Sequence, residues 1–394
     1  MVMEASLGGL ATGAATRRRA GERWVIPYRP CVLRPGVRPA PVTTVCSAHA
    51  QSHSTSVAIQ QRVATRPGRL FDVPAVLPPL IAFGASALLV RLLLLPTLQR
   101  WLLDLPNYRS LHAQPIPRTG GLGMMLGLAL GLVMSGVPSF VLLLTMLLMS
   151  LSLLDDWRGL PPAARLVAHL GAALTFVLGS GVYEEPLAML ALVLAIAWVT
   201  NLYNFMDGAD GLAGGMALFG FSAYAVASWY AGEPALALAS LSVAAAACAF
   251  LLFNFPPARV FMGDAGSIPL GFLAAVFGVS GWQAGVWPLW FPLAVFAPFV
   301  LDATVTLVRR ALRGEKLWQP HRSHYYQRQI LLGCSHRRLA MSEYALMALS
   351  AGAALIALRL APSAQVAILT LLAAVHLGLG LNVDLRWRNQ REKA

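Results

Sequence analysis

Apolar runs long enough to cross a bilayer recur along this chain and leave little choice of fold. They fall at 76–95, 121–135, 138–154, 164–181, 187–203, 212–231, 235–253, 268–281, 285–307, 344–361 and 364–382, which makes 11. A helix needs about 20 such residues to span the roughly 30 Å of hydrocarbon. Backbone groups find no water there, so only helices or closed barrels cross. Long runs without ten-residue alternation exclude the barrel. Only 12% of the 394 residues are charged, about half the share in a soluble domain. The expected fold is all-α: a polytopic integral membrane helix bundle of about 11 transmembrane helices. The run at 268–281 is the shortest and suits a re-entrant or tilted piece as well as a span.

The connections sort into two sets. One comprises 97–120, 155–165, 204–211, 254–267, 308–343 and the C-terminal tail, and it holds nearly all the Lys and Arg beyond residue 72. The other set is short, with Glu184, Glu185 and Glu233 and almost no basic residue. The two alternate strictly. Basic loops stay on the cytoplasmic side, so the first set is expected there. The net charge of +13 is read as this topology signal, with no nucleic-acid partner. Cys31, Cys46, Cys248 and Cys334 are scattered and suggest neither a zinc site nor a disulfide framework. Three regions are expected: an Arg- and Pro-rich disordered extension at 1–72, a membrane domain at 73–385 and a basic tail at 386–394. The alternation puts the N-terminus outside, which the arginines of the extension contradict. A natural start later in the chain would remove that conflict.

Every acidic cluster lands on the basic, cytoplasmic set. Asp155-Asp156 end one run. Asn204, Asp207 and Asp210 lie in the Gly-rich stretch 201–215. As a continued helix, that stretch would place Asn204, Asp207 and Gly211 on one face. Asp264 precedes another run in Gly263-Asp-Ala-Gly-Ser267, and His321 and His324 lie in a long loop. Carboxylates gathered at one membrane surface repel each other, and a divalent cation relieves this. Oxygen-only donors suit Mg²⁺, which leaves coordination positions for phosphate oxygens. Gly263, Gly266 and Ser267 before an apolar helix would aim backbone N–H groups at an anion. Arg109, Arg118, Arg165, Arg322 and Arg328 can pair with phosphates. The pattern points to Mg²⁺-dependent phosphoryl-group chemistry at the cytoplasmic face. A transporter or lipid-linked sugar flippase is the alternative, but it would place its ionisable residues near the midplane.

Four blocks carry a resemblance: Asp155-Asp-Trp-Arg-Gly-Leu160, Asn204-Phe-Met-Asp-Gly-Ala-Asp-Gly-Leu-Ala213, Phe261-Met-Gly-Asp-Ala-Gly-Ser267 and His321-Arg-Ser-His-Tyr-Tyr-Gln-Arg328. In this order they resemble the polyprenyl-phosphate N-acetylhexosamine-1-phosphate transferases, glycosyltransferase family 4, over about residues 76–385. The histidine block and the segment 106–121 are similar to the branch that initiates O-antigen and related surface glycans. The resemblance implies attack of undecaprenyl phosphate on a UDP-N-acetylhexosamine, giving the lipid diphospho-sugar and UMP. It implies a multi-pass protein of the bacterial inner membrane that depends on Mg²⁺ or Mn²⁺. It places Asn204 and Asp264 at the metal. Asp155 and Asp156 fall at the lipid phosphate, either of them the base, and Asp207 and Asp210 at catalysis and nucleotide binding. His321 and His324 fall at the donor diphosphate, and Arg322, Arg118, Arg165 and Ser267 are further substrate-binding candidates. Arg165 stands where many relatives carry Lys, which leaves its role less defined.

Overall fold

The structure is a computed structural model that describes residues 73–98, 103–104, 115–181, 185–317, 319 and 321–392. The extension 1–72, Arg109 and the end of the tail lie outside the described residues. The helices are α1 (Val73–Leu93), α2 (Gly120–Met134), α3 (Ser139–Arg158), α4 (Pro162–Gly179), α5 (Pro186–Phe205), α6 (Leu212–Ala231) and α7 (Pro234–Asn254). There follow α8 (Asp264–Gln283), α9 (Trp290–Val295), α10 (Ala297–Leu312), α11 (Tyr325–Leu331), α12 (His336–Ala357) and α13 (Pro362–Arg391). Two short strands, β1 (Leu103–Asp104) and β2 (Ile116–Pro117), pair antiparallel with Leu103 opposite Pro117. Helices α4, α5, α7 and α13 start on a proline, whose missing N–H costs nothing at that position. Gly159 ends α3 in the left-handed region (φ 68°), where a side chain would be strained.

Nine of these helices are long and apolar enough to cross a membrane among the described residues, and the protein is a multi-pass membrane protein. Two shorter ones complete the eleven expected segments: α2, with 15 residues, and α10, with 16. The run at 285–307 is not one helix. It breaks at Phe296 between α9 and α10, just before Pro298.

The short run at 268–281 belongs to the centre of the bundle. Helix α8 has 20 residues, and 89% of its span is buried inside the protein, against 11% for α13. Its first turn is Asp264-Ala-Gly-Ser267, polar residues that an apolar count leaves out. Helices α2, α3 and α5 pack around α8, α1 pairs with α2 and α7, and α12 leans on α6. Small residues let the backbones approach, the usual means of helix association where lipid removes the hydrophobic drive. A Cβ on Gly271 of α8 would lie 2.9 Å from the Thr200 carbonyl oxygen of α5, and one on Gly121 of α2 would lie 2.6 Å from the Gly266 Cα of α8.

This packing yields a contrast. Gly171 on α4 has open space where its Cβ would be. Gly271→Val should lower the melting temperature of the detergent-solubilised protein, in line with overpacking costs of about 1–3 kcal/mol. Gly171→Val should leave it nearly unchanged in the same thermal melt.

Candidate active site

Five connections meet at one end of the bundle: those after α1, α3, α5, α7 and α10. Arginines and backbone amides hold their acids together. Asp155 and Asp156 sit in the last turn of α3. Asp155 is fully engaged: its Oδ1 accepts from the Leu160 N–H, and its Oδ2 lies 3.0 Å from Arg165 on α4. The same Arg165 nitrogen reaches Asp264 Oδ2 at 3.6 Å, so one guanidinium ties α3 to the start of α8. Asp156 differs. Its Oδ1 is 3.9 Å from Arg118, which itself pairs with Asp104 on β1, and its buried Oδ2 has no hydrogen-bond partner. That oxygen faces Gly263 (φ 68°), 3.6 Å from where a Cβ would stand.

The stretch after α5 does not continue as a helix. It turns after Phe205, and Gly211 (φ 74°) leads into α6. Gly, Asp and Asn favour turns over helix interiors for backbone reasons. Asn204, on the last turn of α5, faces α8: its Oδ1 accepts from the Ser267 hydroxyl at 2.7 Å, and its side chain hydrogen-bonds Asp264. The hydroxyl of Ser267 therefore orients Asn204. The Gly266 and Ser267 amides donate to the Gly263 carbonyl, and Gly266 serves the close approach of α2. Asp207 lies in the turn beside these acids. Burial, then the nearby Asp264 and Asp156, push its carboxyl up to about 7, with Arg118 and the Gly263 amide opposing.

Asp210 is engaged elsewhere. Its Oδ2 accepts from the Ala258 N–H at 3.1 Å, and its Oδ1 lies 3.3 Å from His336 at the start of α12. It braces the turn against the α7–α8 connection. The buried Asn254 assists: it accepts from the Gly211 N–H at 2.9 Å and donates to the Val260 carbonyl at 2.8 Å.

The histidine loop is held by an acid that no motif announced. Asp302, on α10, lies 3.2 Å from His324 Nδ1, and its two oxygens accept the Tyr325 and Tyr326 N–H groups at the start of α11. Its only sequence signal is that it is the lone acid in the run 285–307. His324 is 2% exposed and stacks with Phe205 and Tyr326. His321 stands beside it, 4.9 Å between ring centroids. Burial, then His324 and Arg310, push the His321 ring down to about 4, so it is neutral at pH 7. Arg322 is exposed on the same loop. Arg328 is committed to Asp384 at 2.7 Å, not available as a free phosphate ligand.

A cleft of about 660 Å³ opens here. Arg165, His169, Asn201, Asn204, His321 and His324 form its polar wall. Leu166, Leu170, Leu194, Trp198, Ile268 and Leu307 form an apolar wall running down α4, α5 and α10. The cleft thus joins polar groups at the bundle's end to an apolar trough among membrane-spanning helices.

Among the described residues no three His, Cys, Asp or Glu side chains form a metal cluster. The donors still fit a hard cation. Asn204 and Asp264 supply oxygens, and Mg²⁺ commonly takes only one or two protein carboxylates.

Fold and site together define a polytopic membrane enzyme whose reactive groups lie at one end of its helices. Residues 139–281 match the family described as Glycosyl transferase family 4. That range takes in Asp155, Asp156, Asp207, Asp210 and Asp264 and stops short of the histidine loop. The chain is 30% identical over 289 residues to the "Probable undecaprenyl-phosphate N-acetylglucosaminyl 1-phosphate transferase" of Bacillus subtilis strain 168, covering 67% of this chain and 80% of the relative. It is 29% identical over 293 residues to the decaprenyl-phosphate N-acetylglucosaminephosphotransferase of Mycobacterium tuberculosis strain H37Rv (61% and 71% covered). With the undecaprenyl-phosphate alpha-N-acetylglucosaminyl 1-phosphate transferase of Yersinia pestis the identity is 26% over 314 residues (74% and 86% covered). The chain belongs to glycosyl transferase family 4 and is a transferase.

Two outcomes follow from this geometry. A Cβ on Gly208 would overlap the Tyr326 hydroxyl oxygen, so Gly208→Ala should destabilise the protein, and Tyr326→Phe should recover part of the loss in a double-mutant cycle read by thermal melts. The second concerns pH. Asp207 holds its proton up to about 7 when folded, against 3.8 ordinarily, so the folded state binds more protons in that window. Stability of the cation-free protein should therefore fall as pH rises through it. Asp207→Asn should flatten that slope, raising the melting temperature at pH 8 and not at pH 4.

Proposed function

We propose that this protein transfers N-acetylglucosamine 1-phosphate from its UDP-sugar to undecaprenyl phosphate, at the cytoplasmic face of a bacterial inner membrane. The observation that carries the reading is the cleft, whose polar end, with Arg165, Asn204, His321 and His324, is continuous with an apolar trough; Arg165 links that end to Asp155 and Asp264. One substrate must bring a long hydrocarbon and a phosphate, and the other a water-soluble diphosphate. The names of the relatives support the polyprenyl phosphate and the N-acetylglucosamine donor. The Arg- and Lys-rich connections, which belong to the same end as the site, support the cytoplasmic face. The branch resemblance supports a role as first membrane step of a surface glycan.

The acceptor lies with its isoprenoid along Leu166, Leu170, Leu194 and Trp198 and its phosphate beside Arg165. Asp156 is the better candidate for base: its Oδ2 is unpartnered, whereas Asp155 is taken up by Arg165 and the Leu160 amide. Asp156 takes the proton from the lipid phosphate. A phosphate oxygen then bonds to the β-phosphorus, and the bond from that phosphorus to the bridging oxygen breaks, so UMP leaves with the oxygen. Asn204 and Asp264 would hold Mg²⁺, or Mn²⁺ in its place, which supplies charge neutralisation for the diphosphate. Asp207 stands beside that pair. His321, neutral, and His324, fixed in place by Asp302, hydrogen-bond the donor, with Arg322 and Arg118 as further cations nearby.

The test is UMP release by purified protein with undecaprenyl phosphate, Mg²⁺ and a panel of UDP-sugars. Release is expected with UDP-N-acetylglucosamine, and silence with every donor sinks the proposal. Asp156→Asn should lower kcat by about 10²-fold or more, a loss typical of a general base. Asp155→Asn should cost stability as well as rate. Asp264→Ala should abolish turnover and the cation's effect on the melting temperature.

A further inference from the structure

Away from the acids and the histidine loop, polar side chains of three helices form a knot around Asp384 on α13. Arg309 of α10 reaches Asp384 Oδ2 at 2.6 Å, and Arg328 of α11 reaches Oδ1 at 2.7 Å. The Tyr325 hydroxyl donates to Oδ2 at 3.3 Å. The Arg328 guanidinium lies 4.3 Å above the Tyr325 ring, and its Nε donates to the Ser323 carbonyl at 3.0 Å. One carboxylate on the last helix is therefore connected, through a single arginine, to the backbone between His321 and His324.

The knot stands where packing is missing. Between α10, α12 and α13 lies a cavity of about 410 Å³, and Asp302, Arg309, Tyr325 and Gln329 line it. Close packing holds side chains in one place because voids forfeit contacts. Beside that cavity, polar contacts add to the packing of Tyr326 and Ile330 in holding α11. Asp302 fixes the start of α11 from α10; Asp384 fixes its outer face from α13. Arg328 and Asp384 are largely buried, 12% and 14% exposed at their side chains, so water does not screen the pair as it does at an open surface.

We propose that Asp384 is a positioning residue for the nucleotide-sugar side of the reaction: through Arg328 and Arg309 it sets the position of the 321–324 loop. This rests on the reading that His321 and His324 meet the donor. Asp384 touches neither substrate. Its loss therefore weakens donor binding and leaves the α4 and α5 wall of the acceptor's trough as it was.

The experiment compares wild type, Asp384→Asn and Arg309→Gln, with Arg388→Gln as a control from the same helix. Steady-state kinetics are measured for each substrate, and hydrogen–deuterium exchange is followed by peptide. Asp384→Asn is expected to raise KM for the UDP-sugar by about tenfold, the scale of a lost positioning contact. KM for undecaprenyl phosphate should stay put, and exchange should speed up at 321–331 and not in α5 or α8. Arg309→Gln breaks one arm and is expected to give a smaller change of the same kind. Arg388→Gln should match wild type. Unchanged donor KM with unchanged exchange at 321–331 overturns the proposal. So does a rise in both KM values with faster exchange throughout the bundle, which marks general loosening. The exchange readout needs no turnover, so it judges the knot even if wild type releases no UMP, an outcome that would fall on the transferase reading alone.

Discussion

Mutual repulsion among carboxylates is the constraint the rest of this structure answers to. Asp155, Asp156, Asp207 and Asp264 gather where the helices emerge, with Arg118 and Arg165 as the cations the site sets against them. At an effective dielectric of about 20, two like charges a few ångströms apart cost roughly 3–4 kcal/mol. Such a cluster persists only if the scaffold overrides that cost. Asp155 is neutralised locally by Arg165 and an amide, while Asp156 and Asp207 are left with less compensation. The imbalance is chemically useful. Uncompensated oxygens attract a proton or a cation, and compensated ones hold the frame.

The scaffold meets that cost in the middle of the bundle. Helix α8 carries Asp264 on its first turn and is buried along nearly its whole length. Its glycines admit α2 and α5 to backbone contact, so Asn204 on α5 and Arg118 before α2 are set against Asp264 by rigid elements. Precision at the site thus comes from helix-to-helix approach. The lipid-facing exterior is left apolar and loosely specified, as exposed Leu143, Leu187 and Val366 illustrate.

Much of this was legible in the sequence. The apolar runs foretold the helices, and the alternation of basic loops foretold which ends meet. The interruption at Phe296 was hidden because a break between two apolar helices changes no composition. The start of α8 was hidden for the opposite reason: its first turn is polar because it is part of the site. Asp155 and Asp156 read as one pair, and only three-dimensional neighbours separate them. Asp210 sits in the same motif as Asp207, yet its partners are Ala258 and His336, from connections far along the chain. Asp302 lay in an apolar run and Asp384 just before the basic tail, neither in a motif, so their work shows only once α11 is seen between them.

The two halves of the site follow opposite electrostatic designs. On the α3–α8 side, acids crowd around two arginines, and charge is the means of recognition. On the α10–α11 side, the rings are neutral or buried, and the charges stand one layer back, in Asp302 and in the Arg309–Arg328–Asp384 knot. A neutral imidazole has no net charge to attract an anion over distance, so it recognises by hydrogen-bond direction, and direction requires a fixed ring. That explains why so many contacts serve so short a loop. His324 stacks with Phe205 and Tyr326 and is hydrogen-bonded to Asp302, and two tyrosine amides close on the same carboxylate. Acids at the first half tolerate some movement because Coulomb forces are long-ranged, whereas the second half works only if it is rigid.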